Sequence, residues 1–102
     1  AGMPDGEYQL GTHRVFKKDE VVCLSDGTLA GSAATAAVTV QTLRRFGLDW
    51  REIAAMTSMR PASWIGLQNQ GAVALGNVAD FVTFRDQILE SVWINGEAVF
   101  KL

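Results

Sequence analysis

Apolar and polar positions alternate in short runs along the first third of the chain, and this pattern predicts β-strands. The runs are 7–10, 13–17 and 20–24, and Gly11 and the polar pair Lys18-Asp19 separate them. Ser25-Asp26-Gly27 follows the last run. Asp-Gly is favourable turn chemistry because glycine accepts a positive φ at little cost. The first third therefore predicts a β-hairpin excursion.

The middle third predicts a helix, because small apolar residues recur there at helical spacing. The positions that share one face are Ala33, Ala36, Ala37, Val40 and Leu43. Ser32 precedes them and is the expected N-cap, since its hydroxyl oxygen can accept a free N–H of the first turn. Gly47 follows Phe46 and suits the left-handed position that ends a helix.

Two shorter helices are predicted after Gly47. Asp49 and Glu52 have the spacing of a capping box, in which each side chain accepts a backbone N–H of the other residue. Pro61 suits the first position of a third helix over 61–65, because that position needs no N–H donor. Gly66 ends this helix.

The last third returns to strands. Residues 72–75 are apolar and precede a Gly76-Asn77 turn, and 80–84 and 88–94 are strand candidates. Asn95-Gly96 lies between two apolar runs and is the strongest hairpin signal in the chain. Asp80 is interpreted as a cap or turn residue at the start of its strand. The order of elements predicts an α+β chain.

Size and charge exclude several classes of protein. The 102 residues give room for one ordinary domain, and a whole (β/α)8 barrel needs roughly 250. The formal net charge is −2, which excludes a strongly basic nucleic-acid binder. No apolar run is long enough to cross a membrane, and residues 1–6 do not resemble a signal peptide. We therefore expect neither nucleic-acid nor membrane partners, and the single cysteine favours a reducing cytoplasm.

Few residues suggest chemistry by themselves. His13 is the only histidine and Cys23 the only cysteine; we expect an exposed strand residue and a small buried side chain, respectively. Core packing is the expectation for Trp50, Trp64 and Trp93, and a solvated helix end for Arg44-Arg45. No metal-binding motif is present. Residues 27–32 place two glycines and a hydroxyl before a helix, where backbone N–H groups can meet an anion or a sugar oxygen.

Several segments together resemble N-acetylglucosamine-6-phosphate deacetylases. Residues 1–8 resemble the segment that follows the catalytic aspartate of that family, and 26–32 resemble the loop that closes over its substrate. Residues 61–67, 71–76 and 79–82 resemble the C-terminal part of the wider amidohydrolase superfamily, and 92–96 resemble its closing hairpin. The resemblance extends over nearly all of the chain. Asn77 departs from it, since a lysine is usual there.

The resemblance implies a fold and a division into domains. The family combines a TIM-like barrel with a small β-sandwich built from both ends of the chain. The chain is then an α+β fragment, the C-terminal part of such an enzyme. Residues 1–67 would form the last part of the barrel domain with the hairpin excursion and the substrate loop, and 68–102 would form strands of the small domain.

The resemblance also implies metal-assisted hydrolysis of the N-acetyl group of a sugar phosphate. Leu29, Ala30 and Gly31 match the loop that contacts the sugar through its backbone, and glycine there would permit close approach and unusual backbone angles. The divalent metal, of zinc or iron type, its ligands and the proton-shuttling aspartate belong upstream. That aspartate would lie a few residues before Ala1. We expect no catalytic or metal-binding residue in this chain.

Consequences for the isolated chain follow from this interpretation. It should not hydrolyse the substrate, and unpaired strands and apolar faces should make it self-associate or form a homo-oligomer. Two alternatives stay open: the C-terminal part of another amidohydrolase of dihydroorotase type, and a stand-alone, non-enzymatic binding module.

Overall fold

Four short strands pair in sequence order at the start of the chain. In the computed structural model, which describes all residues 1–102, they are β1 (Gly6–Leu10), β2 (His13–Lys18), β3 (Val21–Leu24) and β4 (Leu29–Ser32). Each pairs antiparallel with the next, in the order β1-β2-β3-β4. The three predicted strands are confirmed. The fourth lies where the sequence predicts a loop.

Tight turns and one buried valine define this first unit, Ala1–Thr39. Gly11 and Asp19 adopt positive φ angles of 60° and 56° in the turns on either side of β2. Val15 in β2 is only 3% exposed and forms the centre of the small core with the buried Ala33. Phe16, on the other face of β2, remains exposed, as expected for a strand with one covered face.

Helix α1 (Ala36–Arg45) begins three residues later than predicted. Ser32 is the last residue of β4, and its hydroxyl accepts the N–H of Ala34 instead of capping α1. Thr35 takes the capping role, since its hydroxyl oxygen accepts the N–H of Val38 at 3.3 Å. The prediction of Ser32 as the N-cap was wrong because residues 29–32 find a pairing partner in β3.

The second unit is Val40–Leu102, and two helix-end motifs predicted from the sequence are present in it. Gly47 has a φ of 88°, and its N–H donates to Arg44 while the N–H of Leu48 reaches the carbonyl of Leu43, which is a Schellman ending for α1. Asp49 and Glu52 form the predicted capping box at the start of α2 (Trp50–Ala54).

The helix that starts with α2 continues further than predicted. A π-helical stretch, Ala55–Met59, connects α2 directly to α3 (Arg60–Trp64). Pro61 is therefore not the start of a separate helix. Proline has no N–H to donate in a continuous helix, and a wider π turn is one way to accommodate that loss. Ile53 and Ala62 are the buried residues of this helical stretch.

The second sheet is also an antiparallel meander. Its strands are β5 (Phe81–Arg85), β6 (Ile88–Ile94) and β7 (Glu97–Lys101), in the order β5-β6-β7. Asn95 and Gly96 form the predicted hairpin turn, both with positive φ as a type I′ turn requires. Asp80 has the predicted turn role, because its carboxylate accepts the N–H of Asn95 at 2.8 Å.

The segment between α3 and β5 forms no strand. Gly71 lies close against the helical stretch, whereas Val73 and Leu75 are exposed. The side chain of Asn77 donates to the carbonyl of Ala72 and its N–H to that of Ala74, which confirms the turn at Gly76-Asn77. None of the helices is long and apolar enough to span a membrane.

Candidate functional site

A closed turn leads into the candidate substrate loop. The N–H of Leu24 donates to the carbonyl of Thr28 at 2.8 Å, and the N–H of Gly27 donates to the carbonyl of Leu24 at 3.0 Å. Gly27 adopts a φ of 86°, which an L side chain rarely tolerates. This turn fixes the point at which β4 leaves β3.

Asp26 stabilises the same turn through its carboxylate. One oxygen accepts the backbone N–H of Thr28 at 2.9 Å, the arrangement of an Asx turn. Hydrogen bonds from the backbone and hydroxyl of Thr28 hold the pKa of the Asp26 carboxyl below its usual value. Asp26 therefore stays ionised at neutral pH, in a structural role.

Leu29, Ala30 and Gly31 lie in β4, which is an edge strand of the first sheet. Leu29 pairs with Cys23 and Gly31 with Val22, so Ala30 is the extra residue of a β-bulge. Since β4 pairs on one side only, an edge of main-chain donors and acceptors remains for another group. Leu29 is 70% exposed beside that edge.

Gly31 does not have the unusual backbone angles that we expected from the sequence. Its φ lies outside the left-handed region, so the backbone conformation does not require glycine there. A Cβ built on Gly31 would meet no atom within 4 Å. Gly31 therefore leaves open space over the strand, and the unusual backbone angle belongs to Gly27 instead.

This arrangement can bind and orient a molecule but cannot transfer a proton. The three residues contribute main-chain groups, an apolar side chain and open space, and none carries a titratable side chain. A polyhydroxylated ligand suits such an edge because its hydroxyl groups both donate and accept hydrogen bonds. The reacting groups of an enzyme would have to come from elsewhere.

The other candidate residues are scattered. His13 is exposed at the start of β2, as predicted, and Cys23 is half-buried in β3, less covered than predicted. No three His, Cys, Asp or Glu side chains in the chain come together as metal ligands. A divalent metal does not fit the residues present here.

Arg44 and the tryptophans partly contradict the expectations. Arg44 is half-buried rather than solvated: its guanidinium lies 5.0 Å from the ring centre of Trp50 and donates to the carbonyl of Leu48. Trp50 in turn packs against Phe84, and Trp93 stacks on Phe81. Trp64 is 91% exposed and Trp50 is 42% exposed, so core packing was the wrong prediction for both.

The turn at Asp26-Gly27 was predicted from the sequence and is present. Its hydrogen bond from Thr28 to Asp26 was not predicted, although Asp-Gly-Thr is typical of an Asx turn. The pairing of β4 was missed without any signal, because residues 29–32 carry no alternation of apolar and polar positions.

The fold is α+β, with two antiparallel meanders, and the candidate substrate loop lies on an edge strand. A comparison with known protein families identifies the family of this chain. The model of the amidohydrolase family matches residues 12–99, and the chain belongs to that family.

Three individual relatives are N-acetylglucosamine-6-phosphate deacetylases. The chain is 37% identical over 102 residues to N-acetylglucosamine-6-phosphate deacetylase of Vibrio furnissii, a match that covers 97% of this chain and 26% of that protein. It is 36% identical over 83 residues to the enzyme of that name from Bacillus subtilis, covering 79% and 21%. The crystal structure of N-acetylglucosamine-6-phosphate deacetylase from Thermotoga maritima matches all of this chain and 29% of its own, with a TM-score of 0.87 and 36% identity. The chain thus spans about a quarter of the length of these relatives.

Proposed function

We propose that the chain is the C-terminal segment of a divalent-metal-dependent hydrolase that removes the N-acetyl group of N-acetylglucosamine 6-phosphate. The observation that carries this proposal is the match of the whole chain to the Thermotoga maritima enzyme at 36% identity and a TM-score of 0.87. Neither open alternative, a dihydroorotase-type enzyme or a stand-alone binding module, receives comparable support.

The role of this chain in that enzyme is to complete the substrate pocket. Leu29, Ala30 and Gly31 contact the sugar through the main chain of the β4 edge. The free edge, the bulge at Ala30 and the open space over Gly31 support this role. Fixing the sugar in one orientation accelerates a reaction by removing the entropy of alignment.

The divalent metal of zinc or iron type belongs to the part of the enzyme that precedes this segment. His13, Cys23 and the carboxylates of this chain do not gather into a ligand set. Its residues therefore bind and orient substrate, and we assign no step of hydrolysis to them.

The domain assignment is part of the same proposal. Residues 1–67 complete a TIM-like barrel domain, and 68–102 supply strands of a small β-sandwich domain. The three-stranded meander β5-β6-β7 supports the second assignment, because antiparallel meanders are the units of sandwiches. A cytoplasmic location and a homo-oligomeric state complete the proposal.

Substitution of Gly31 tests the loop assignment. In the complete enzyme, Gly31→Val should raise the KM for the sugar phosphate about tenfold or more, because the side chain fills the space that the sugar needs. Stability should hardly change, since a Cβ at Gly31 meets no atom of this chain within 4 Å.

An exposed residue just outside the loop provides the control. Ala34→Val adds bulk three positions further along, beyond residues 26–32, and keeps the backbone N–H that donates to Ser32. It should leave the KM within about twofold of the parent. An unchanged KM in Gly31→Val would contradict the loop assignment.

A further inference from the structure

The turn between β6 and β7 consists of Asn95 and Gly96, and both residues are exposed. An asparagine followed by glycine is chemically labile, because the backbone nitrogen of the glycine can attack the side-chain amide of the asparagine. Glycine adds no side chain that would hinder this attack. Asparagine is for such reasons among the thermolabile residues of proteins. The turn therefore contains both reacting groups of a spontaneous modification.

Two hydrogen bonds from outside the hairpin hold this turn. The N–H of Asn95 donates to Asp80 Oδ1 at 2.8 Å, and the N–H of Gly96 donates to the carbonyl of Ala79 at 2.9 Å. In a two-residue hairpin turn, these two N–H groups have no partner within the hairpin itself. Residues 79–80 reach them because they directly precede β5, which pairs with β6. Both bonds are thus additional to the pairing of β6 with β7.

The two bonds oppose the attack at its first step, in which the Gly96 nitrogen loses its proton. The carbonyl of Ala79 accepts that proton in a hydrogen bond and so stabilises the protonated form. The carboxylate of Asp80 places a negative charge beside the turn, and such a charge disfavours the loss of a proton from a nearby group. The reacting nitrogen is therefore a poor nucleophile while the turn is held.

We propose that Asn95 is a deamidation site, which residues 79–80 protect as long as they hold the β6–β7 turn. When the turn detaches, hydroxide removes the proton from the Gly96 nitrogen, which then forms a bond to Asn95 Cγ. The bond from Cγ to the amide nitrogen breaks, and that nitrogen takes a proton from water and leaves as ammonia. Water opens the cyclic imide to aspartate or isoaspartate. The chemistry needs only residues of this chain and water.

The products should prevent the turn from closing again. An aspartate at position 95 places a second carboxylate beside Asp80, and like charges at this distance repel each other. Isoaspartate adds a methylene to the backbone of a turn that pairs Ile94 with Glu97 through two residues only. Either product weakens the contact with residues 79–80.

The rate of deamidation at Asn95, measured by peptide mass spectrometry at mildly alkaline pH, tests the proposal. In the folded protein, kept below its unfolding transition, the rate should be at least about tenfold lower than in denaturant, because the reaction requires local opening. Asp80→Ala should raise the rate in the folded protein about tenfold, since one hydrogen bond to a charged group is lost. In denaturant, this variant and the parent should react alike.

A matched control is available in the turn between β5 and β6. Asp86→Ala removes a carboxylate from that turn, at a residue that also has a positive φ, and should retain the parent rate. Asn77 is an internal reference, because its side-chain amide donates to the carbonyl of Ala72 and a valine follows it. We expect Asn77 to stay unmodified over the same period.

The results decide between a protected site, an unprotected site and no site. Equal rates at Asn95 in the folded and the denatured parent overturn the protection, and this comparison stands even if Asp80→Ala does not fold. Equal rates in folded Asp80→Ala and folded Asp86→Ala show that Asp80 does not protect the turn, which also overturns the proposal. No deamidation at Asn95 in denaturant overturns the site itself.

Discussion

Glycines with similar backbone angles serve different purposes in this chain. Gly71 and Gly76 have φ angles of 87° and 86° and belong to the same apolar stretch. A Cβ at Gly71 would lie 2.9 Å from the Cβ of Ala62 and 3.0 Å from the carbonyl oxygen of Ser58, whereas a Cβ at Gly76 would meet nothing within 4 Å. Gly71 is required for close packing as well as for its φ.

We predict that Gly71→Ala destabilises the protein more than Gly76→Ala. Both substitutions place an L side chain in the left-handed region, which costs about 1–2 kcal/mol. Gly71→Ala adds overpacking against backbone, about 1–3 kcal/mol more. Denaturant unfolding of both variants measures the difference, and equal losses of unfolding free energy would contradict the packing argument.

The sequence could not distinguish these two glycines. A turn is predictable at Gly76-Asn77 because the dipeptide itself favours one, and the structure has it. The contact of Gly71 with Ala62 and Ser58 depends on how the chain folds back after α3. No pattern of neighbouring residues in the sequence predicts how the chain folds back there. Single residues were therefore predictable where their role is local, as for Gly47, Asp80 and Asn95.

Among the elements, those with capping or turn signals were predicted well. The Schellman ending of α1, the capping box of α2 and the hairpin between β6 and β7 all follow from neighbouring residues. The predicted start of α1 was wrong, and β4 was not predicted. Both depend on β3, which pairs with residues 29–32 and thereby displaces the first turn of the helix.

The capping box of α2 provides a prediction about how one helix start contributes to stability. Asp49→Ala should lower the free energy of unfolding by about 1 kcal/mol, because the N–H of Glu52 loses its acceptor. Asp49→Asn should be nearly neutral, since its amide oxygen can accept the same hydrogen bond. Thermal unfolding compares the two variants. An equal loss in both would show that charge, and not the hydrogen bond, stabilises this helix start.

At the scale of the whole molecule, little apolar surface is covered. The buried apolar residues are Val15, Ala33, Val40, Ile53 and Ala62, whereas Trp64, Ile65, Val73 and Leu75 are largely exposed. Large exposed apolar surfaces in isolated chains lead to association. The family resemblance was predictable from the sequence, because its motifs are local.

We predict that the isolated 102-residue chain self-associates. Sedimentation or light scattering over a range of concentrations should give an average mass above that of one 11.0 kDa chain. Trp64→Ser, which removes the 91% exposed tryptophan, should weaken the association. Ser63→Ala, at its neighbour in α3, serves as the control. A monomeric mass at high concentration would contradict the prediction.

We propose above that this chain completes the pocket of a deacetylase, and acetate release from N-acetylglucosamine 6-phosphate, measured with a divalent metal present, is the decisive test. We expect release by a longer protein that carries residues 1–102 as its C-terminal segment, and none by the 102-residue chain alone. A folded, metal-loaded longer protein without this activity, or metal-dependent release by the isolated chain, would rule the proposal out.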